Sequence, residues 1–197
     1  MANVVTRSEQ PTAEDDRRQI EELYQQICDL RPKDRVEIIN DRVVVSRVPT
    51  WSHELVLFRL IQLLMATVNQ RGWMLSSNIS LFLGAQRDRY KPDLTVASAD
   101  PPLWGKDHIH GDATVLVVEV VSTSSVDDDH RVKPKTYAAA GVPLCLVIDC
   151  FASTVRLLSK PNAQTERYEQ QNEVPIGKGL DLPEPWSTTL DTGKLTD

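Results

Sequence analysis

One stretch limits the possible folds more than any other: TVLVVEVVSTSS, residues 114–125. Val115, Leu116, Val117, Val118 and Val120 surround a single carboxylate, Glu119. The run is too short and too β-branched for a helix, and it reads as a strand buried on both faces. An ionised carboxylate in such a place is costly unless it is paired or holds a metal. The chain must therefore bring something cationic to Glu119.

The neighbouring segments supply the layers around it. Residues 18–30, RQIEELYQQICDL, put Ile20, Leu23, Tyr24, Ile27 and Leu30 on one helical face, ending before Pro32. RVEIINDRVVVSRV reads as two strands joined at Asn40-Asp41, residues that accept the positive φ of a tight hairpin turn. HELVLFRLIQLLMATVNQRG follows Ser52 and is a long helix stopped by Gly72. Its nearly all-round apolar surface implies that it is sandwiched between the sheet and another layer. WMLSSNISLFL reads as one strand, GAQRDRY as a charged turn, KPDLTVAS as a strand and residues 99–113 as a loop. After the Glu119 strand come a polar turn, a short helix starting near residue 131 and ending at Gly141, the strand VPLCLVID, and an antiparallel pair, ASTVRLLSK with ERYEQQ. The tail from Val174 is rich in Pro and Gly and is expected to wrap the surface. This order predicts an α/β fold with a mixed sheet flanked by helices, without a dinucleotide fingerprint.

Composition narrows the function. The 197 residues suit one domain with an appendage: an N-terminal extension over 1–30, poorly ordered over 1–18, a domain over 31–190 and a tail over 191–197. No run is long and apolar enough for a membrane span, and the N-terminus lacks a signal-peptide core, so a cytoplasmic protein is expected. Cys28, Cys145 and Cys150 form no metal-binding spacing. A net charge of −6 argues against indiscriminate nucleic-acid binding, although a local basic patch beside an acidic site is compatible with it.

Asp93 follows Pro92 at the start of a strand, and Glu119 lies on another. Two carboxylates on adjacent strands can share a hard divalent cation such as Mg²⁺. Such an ion polarises a phosphoryl oxygen and lowers the pKa of bound water. The alternative is that Asp93 caps a turn and Glu119 forms a buried salt bridge; spacing alone leaves the two about equal. Lys133, in the first turn of the following helix, can orient water or stabilise phosphate charge, or it is simply a solvated lysine. Ser122, Ser124 and Ser125 offer hydroxyls or cap a turn. His53 opens the long helix, lining a cleft or facing solvent. His108 and His110 read as loop polarity, having no third soft ligand near by.

Taken in order, VEIINDRVVVS, SH at the head of an apolar helix, KPDLTV, VVEVVSTSS, D-x-x-x-K-x-x-x-Y-x-x-x-GV and LVID resemble the Uma-type restriction endonuclease family, a branch of the PD-(D/E)xK nuclease superfamily. The resemblance covers about residues 33–190. It implies a restriction-endonuclease-like core with a Mg²⁺ (or Mn²⁺) site, DNA as substrate, and a homodimer. It assigns Asp93 and Glu119 as metal ligands with Glu37 as a third, Lys133 as the catalytic lysine, and Asp129 and Tyr137 as accessory residues beside His53 and Ser122. Where the superfamily places lysine two residues after the acid, this chain has Val121. Pro134 implies that the helix starts later or bends, turning Lys133 away. The expected activity is metal-dependent phosphodiester hydrolysis of DNA. The rival from another class is an inactive homodimeric DNA- or protein-binding protein of the same fold. A third reading is a hydrolase of a small phosphorylated substrate.

Overall fold

The computed structural model describes residues 13–46, 49–77, 79–84 and 88–196. It is a mixed α/β structure with two six-stranded mixed sheets flanked by helices. The first sheet has the order β2 (Arg42–Ser46), β1 (Arg35–Ile39), β5 (Asp88–Tyr90), β4 (Ser80–Leu83), β8 (His108–His110), β7 (Leu103–Trp104). The second has the order β12 (Arg167–Pro175), β11 (Thr154–Asn162), β10 (Leu144–Asp149), β9 (Thr114–Val120), β6 (Leu94–Ser98), β3 (Trp73–Ser76). A small hairpin, β13 (Gly179–Leu182) with β14 (Thr188–Asp191), closes the chain.

β9 lies inside the second sheet, parallel to β10 and antiparallel to β6. Its side chains alternate between two cores, as a strand buried on both faces requires. Leu116, Val118 and Val120 join the cluster built on α2 (Trp51–Arg71). Val117 and Val121 join the cluster between the two sheets, with Leu81, Tyr90 and Tyr137. Glu119 shares the phase of the second set and so points between the sheets.

Local chemistry accounts for the well-marked elements. Asn40 and Asp41 both have positive φ, 49° and 57°, which gives β1 and β2 their two-residue turn. Thr50 caps α2 by accepting from the His53 N–H at 3.3 Å. Gly72 ends it in the left-handed conformation.

Several expectations need correction. WMLSSNISLFL is not one strand: β3 and β4 belong to different sheets. Asp88–Tyr90 is a strand rather than part of a turn, and residues 85–87 lie outside the described residues. The 99–113 loop contains β7 and β8, and His108 and His110 sit on the latter. α1 runs from Ala13 to Leu30, so residues 13–18 are helical, and Glu14, Asp15 and Asp16 in its first turn suit the positive end of the helix dipole. The rest of the expected disordered start, residues 1–12, lies outside the described residues. The C-terminal tail does more than wrap the surface. Leu180, Leu182, Trp186, Leu190 and Leu195 are buried in the α2 core, forming the second layer against that helix.

Candidate functional site

The antiparallel register of β6 and β9 sets the site. Leu94 faces Val118, so Asp93 and Glu119, each one step further toward the same end, come side by side. The Val120 N–H donates to Asp93 Oδ2 at 2.8 Å, tying the two strand ends together. The β1–β2 hairpin brings Glu37 to the same place. The Lys91 N–H holds its Oε1 at 2.8 Å.

The fourth wall is helical. Asp128–Val132 forms a π-helical turn that runs straight into α3 (Lys133–Ala139). Its defining bond is the Lys133 N–H donating to the Asp128 carbonyl, five residues back. Pro134 is accommodated within the first turn of α3, which starts at Lys133, later than residue 131 as the proline implies, but the π-turn before it does not turn Lys133 away. A proline there has no N–H for the carbonyl four residues back, His130. Arg156 on β11 supplies the missing donor, at 2.9 Å. The wide turn keeps Asp129 and Lys133 on one face, both buried. Lys133 Nζ reaches Glu119 Oε2 and Asp129 Oδ1, each at 2.9 Å. Position 121 is filled by buried Val121, while the ammonium arrives from the helix instead.

All eight residues that the family resemblance assigns border one cavity of about 400 Å³ or touch a residue that does, whereas His108 and His110 do not line it. Tyr137 donates its hydroxyl to Glu119 Oε1. His53 Nε2 lies 3.2 Å from Asp93 Oδ2. Ser122 contacts the Ser125 hydroxyl at 2.7 Å, and Ser125 donates to Asp129. Lys133 is not a solvated lysine: it is only 3% exposed.

Sequence reasoning missed Arg35. Its guanidinium lies among three of the carboxylates. Nε donates to Glu37 Oε2 at 3.1 Å, Nη1 donates to Asp93 Oδ1, and Nη2 is 3.6 Å from Glu119 Oε2. The available signal was the alternation of β1, which puts Arg35 and Glu37 on one face. Ser125 was named only as a turn hydroxyl; its spacing of four from Asp129 marked the contact.

The electrostatics are unbalanced. Four buried carboxylates, Glu37, Asp93, Glu119 and Asp129, face two permanent cations, Arg35 and Lys133. The surplus must be met by a further cation or by a proton, and Glu119 is the carboxyl whose charge is most disfavoured. Burial pushes the Glu119 carboxyl up to about 8 against the pull of Lys133, with Asp93 and Asp129 adding to the rise. Burial opposes charge on His53, yet the Asp93 carboxylate raises its pKa above the ordinary value. Burial also opposes charge on Asp93, but His53 and Arg35 hold it well below the usual carboxylate range. The donor set, all oxygen, fits a hard divalent cation such as Mg²⁺. Among the described residues, no three ligating side chains converge closely enough to enclose an ion.

The sequence profile of a family described as "Uma2: Putative restriction endonuclease" matches residues 20–190. No curated protein matches the chain. A crystal structure from Anabaena variabilis, described as "a putative nuclease belonging to DUF820", is similar in fold: TM-score 0.61 at 15% identity, covering 82% of this chain and 89% of that one.

Proposed function

We propose that this chain, which belongs to the Uma2 family of restriction-endonuclease-like proteins, is a divalent-metal-dependent endonuclease that hydrolyses phosphodiester bonds in DNA. The observation that carries the reading is the cluster of four buried carboxyl groups, more than the permanent cations beside them, at the joined ends of β6 and β9. Asp93 and Glu119 would hold Mg²⁺ or Mn²⁺, with Glu37 assisting. When bound, such an ion polarises the scissile phosphate and acidifies a water.

The chain's own groups do the rest. Lys133, fixed between Glu119 and Asp129, directs an ammonium toward the cavity, where it stabilises phosphate charge and orients the attacking water. Tyr137 holds the Glu119 carboxylate and the Val120 N–H holds that of Asp93. A neighbouring cavity of about 470 Å³ carries Lys33 and Lys91, local cations for a polyanion on an otherwise acidic protein, as well as Asp34 and Glu54. A homodimer would pair two such sites on opposite strands.

A second reading rests on Arg35. Its guanidinium stands where a cation would be expected, which favours an inactive DNA- or protein-binding protein that keeps the fold. Incubating supercoiled and linear DNA with Mg²⁺ or Mn²⁺ separates the two. The nuclease reading expects cleavage that Asp93→Ala and Glu119→Ala each abolish. Cleavage surviving both substitutions sinks the assignment. Absence of both cleavage and Mn²⁺ binding selects the inactive protein.

A further inference from the structure

We propose that Arg35 is a built-in counter-cation that holds the acidic site together and must swing away before a divalent cation can load between Asp93 and Glu119. The inference rests on the metal-site reading above and concerns how that site is gated.

Three observations meet on this residue. First, each nitrogen of the guanidinium approaches a different carboxylate: Nε to Glu37, Nη1 to Asp93 and Nη2 to Glu119. A planar fork with fixed donors suits this task, and a lysine ammonium, being a point charge, does not. Second, the three acids come from separate parts of the fold, Glu37 from β1, Asp93 from the start of β6 and Glu119 from β9, so nothing else neutralises all of them at once. Lys133 forms ion pairs with Glu119 and Asp129 and acts on Asp93 and Glu37 only from a greater distance. Third, Arg35 has somewhere to go. It lines both the site cavity and the adjoining one of about 470 Å³, whose wall carries Asp34 and Glu54. Its side chain is 17% exposed, against 1% for Glu37 and Glu119.

Arginine stays charged at every accessible pH, so it cannot leave by losing a proton. It can only move. The ion and the guanidinium then compete for the same oxygens, and the apparent metal affinity is the intrinsic one scaled by the fraction of molecules with Arg35 turned out.

Mn²⁺ binding to the full chain, measured by calorimetry, tests this. Arg35→Ala is expected to bind about tenfold more tightly or better, as follows if the open arrangement is populated no more than about one part in ten. Arg35→Lys keeps the charge but loses the fork, and is expected to fall between wild type and Arg35→Ala. The added Asp93→Ala substitution should abolish binding in each background. Arg35→Lys matching wild type would reduce the effect to bulk charge and overturn the gating proposal. So would Asp93-dependent binding that is equal in all three proteins, which leaves the metal site itself standing. Absence of Asp93-dependent binding in every protein removes the metal site and the gate together. Should Arg35→Ala fail to fold, wild type answers alone: the Arg35 Nε–Hε resonance, identified by its loss in Arg35→Lys, should shift and exchange faster with solvent on Mg²⁺ saturation. An unmoved resonance at saturation overturns the proposal.

Discussion

Among the described residues two His–Asp pairs occur, one anchored in the π-turn and one at the site cavity, and they differ in what surrounds them. His130 Nε2 lies 2.8 Å from Asp149 Oδ2. Asp149 also accepts from the Phe151 and Ala152 N–H groups at 2.8 and 2.9 Å, and Arg156 contacts both His130 Nδ1 and its carbonyl. Every polar atom of that pair has a partner, and the pair braces the turn. His53 and Asp93 sit 3.2 Å apart at the edge of a cavity. There His53 Nδ1 is buried without a hydrogen-bond partner, and Asp93 shares Arg35 with two further acids. The same two residue types are structural where every polar atom is partnered and chemically available where one is left open beside a cavity.

The sharpest way to break the comparison is to neutralise each aspartate. Asp93→Asn should lower DNA cleavage by about a thousandfold, the scale of removing a charge-stabilising group from an active site. Asp149→Asn should keep cleavage within about tenfold once folded protein is matched, a smaller effect than loss of a charge-stabilising group gives. Equal losses would erase the distinction. Next in size is Lys133→Met. Removing one member of a buried ion pair strands Glu119 and should cost about 3 kcal/mol in urea unfolding. A loss below about 1 kcal/mol, the range of exposed pairs, would mean that Lys133 is solvated after all.

On the bracing side, Arg156→Ala should cost about 1–2 kcal/mol, because Pro134 has no N–H to take its place at the His130 carbonyl. The companion Pro134→Ala restores that N–H and should recover part of the loss. If it recovers none, the proline is not the reason for Arg156.

The smallest effects are in the pH dependence, and the two regions should slope in opposite directions. Glu119 is raised to about 8, so its stabilising contribution is complete below about 4.5 and lost as pH rises through about 8. Asp149 is lowered: burial opposes its charge, but the Ala152 N–H and His130 outweigh it. Its contribution is present above the ordinary carboxylate range and lost in acid. Melting temperature against pH should therefore flatten on the alkaline side in Glu119→Gln and on the acid side in Asp149→Asn. Parallel curves for wild type and both variants would contradict the assignment.

Features that depend on neighbours in sequence were legible. Asn40-Asp41 fixed its turn because both residues tolerate positive φ, and the period of α2 with Thr50 and Gly72 fixed its ends. The Glu119 strand gave away its two-sided burial by having almost no polar residue. Features decided by distant partners were not. β3 and β4 separate into two sheets within a segment that reads as continuous. Pro134 reads as a helix start, and the donor that meets the His130 carbonyl behind it, Arg156, comes from a later strand. Asp93 and Glu119 stood out as charges in apolar strands, whereas Arg35, the first residue of β1, read as an ordinary strand-end charge. Its role exists only once three acids from different elements surround it.

The central claim is that the joined ends of β6 and β9 hold a divalent cation. Anomalous diffraction from crystals soaked in Mn²⁺ tests it directly. The account predicts a peak within bonding distance of both Asp93 and Glu119, with Arg35 displaced from them. Mn²⁺ found only on surface carboxylates, with Arg35 still spanning Glu37, Asp93 and Glu119, would contradict it.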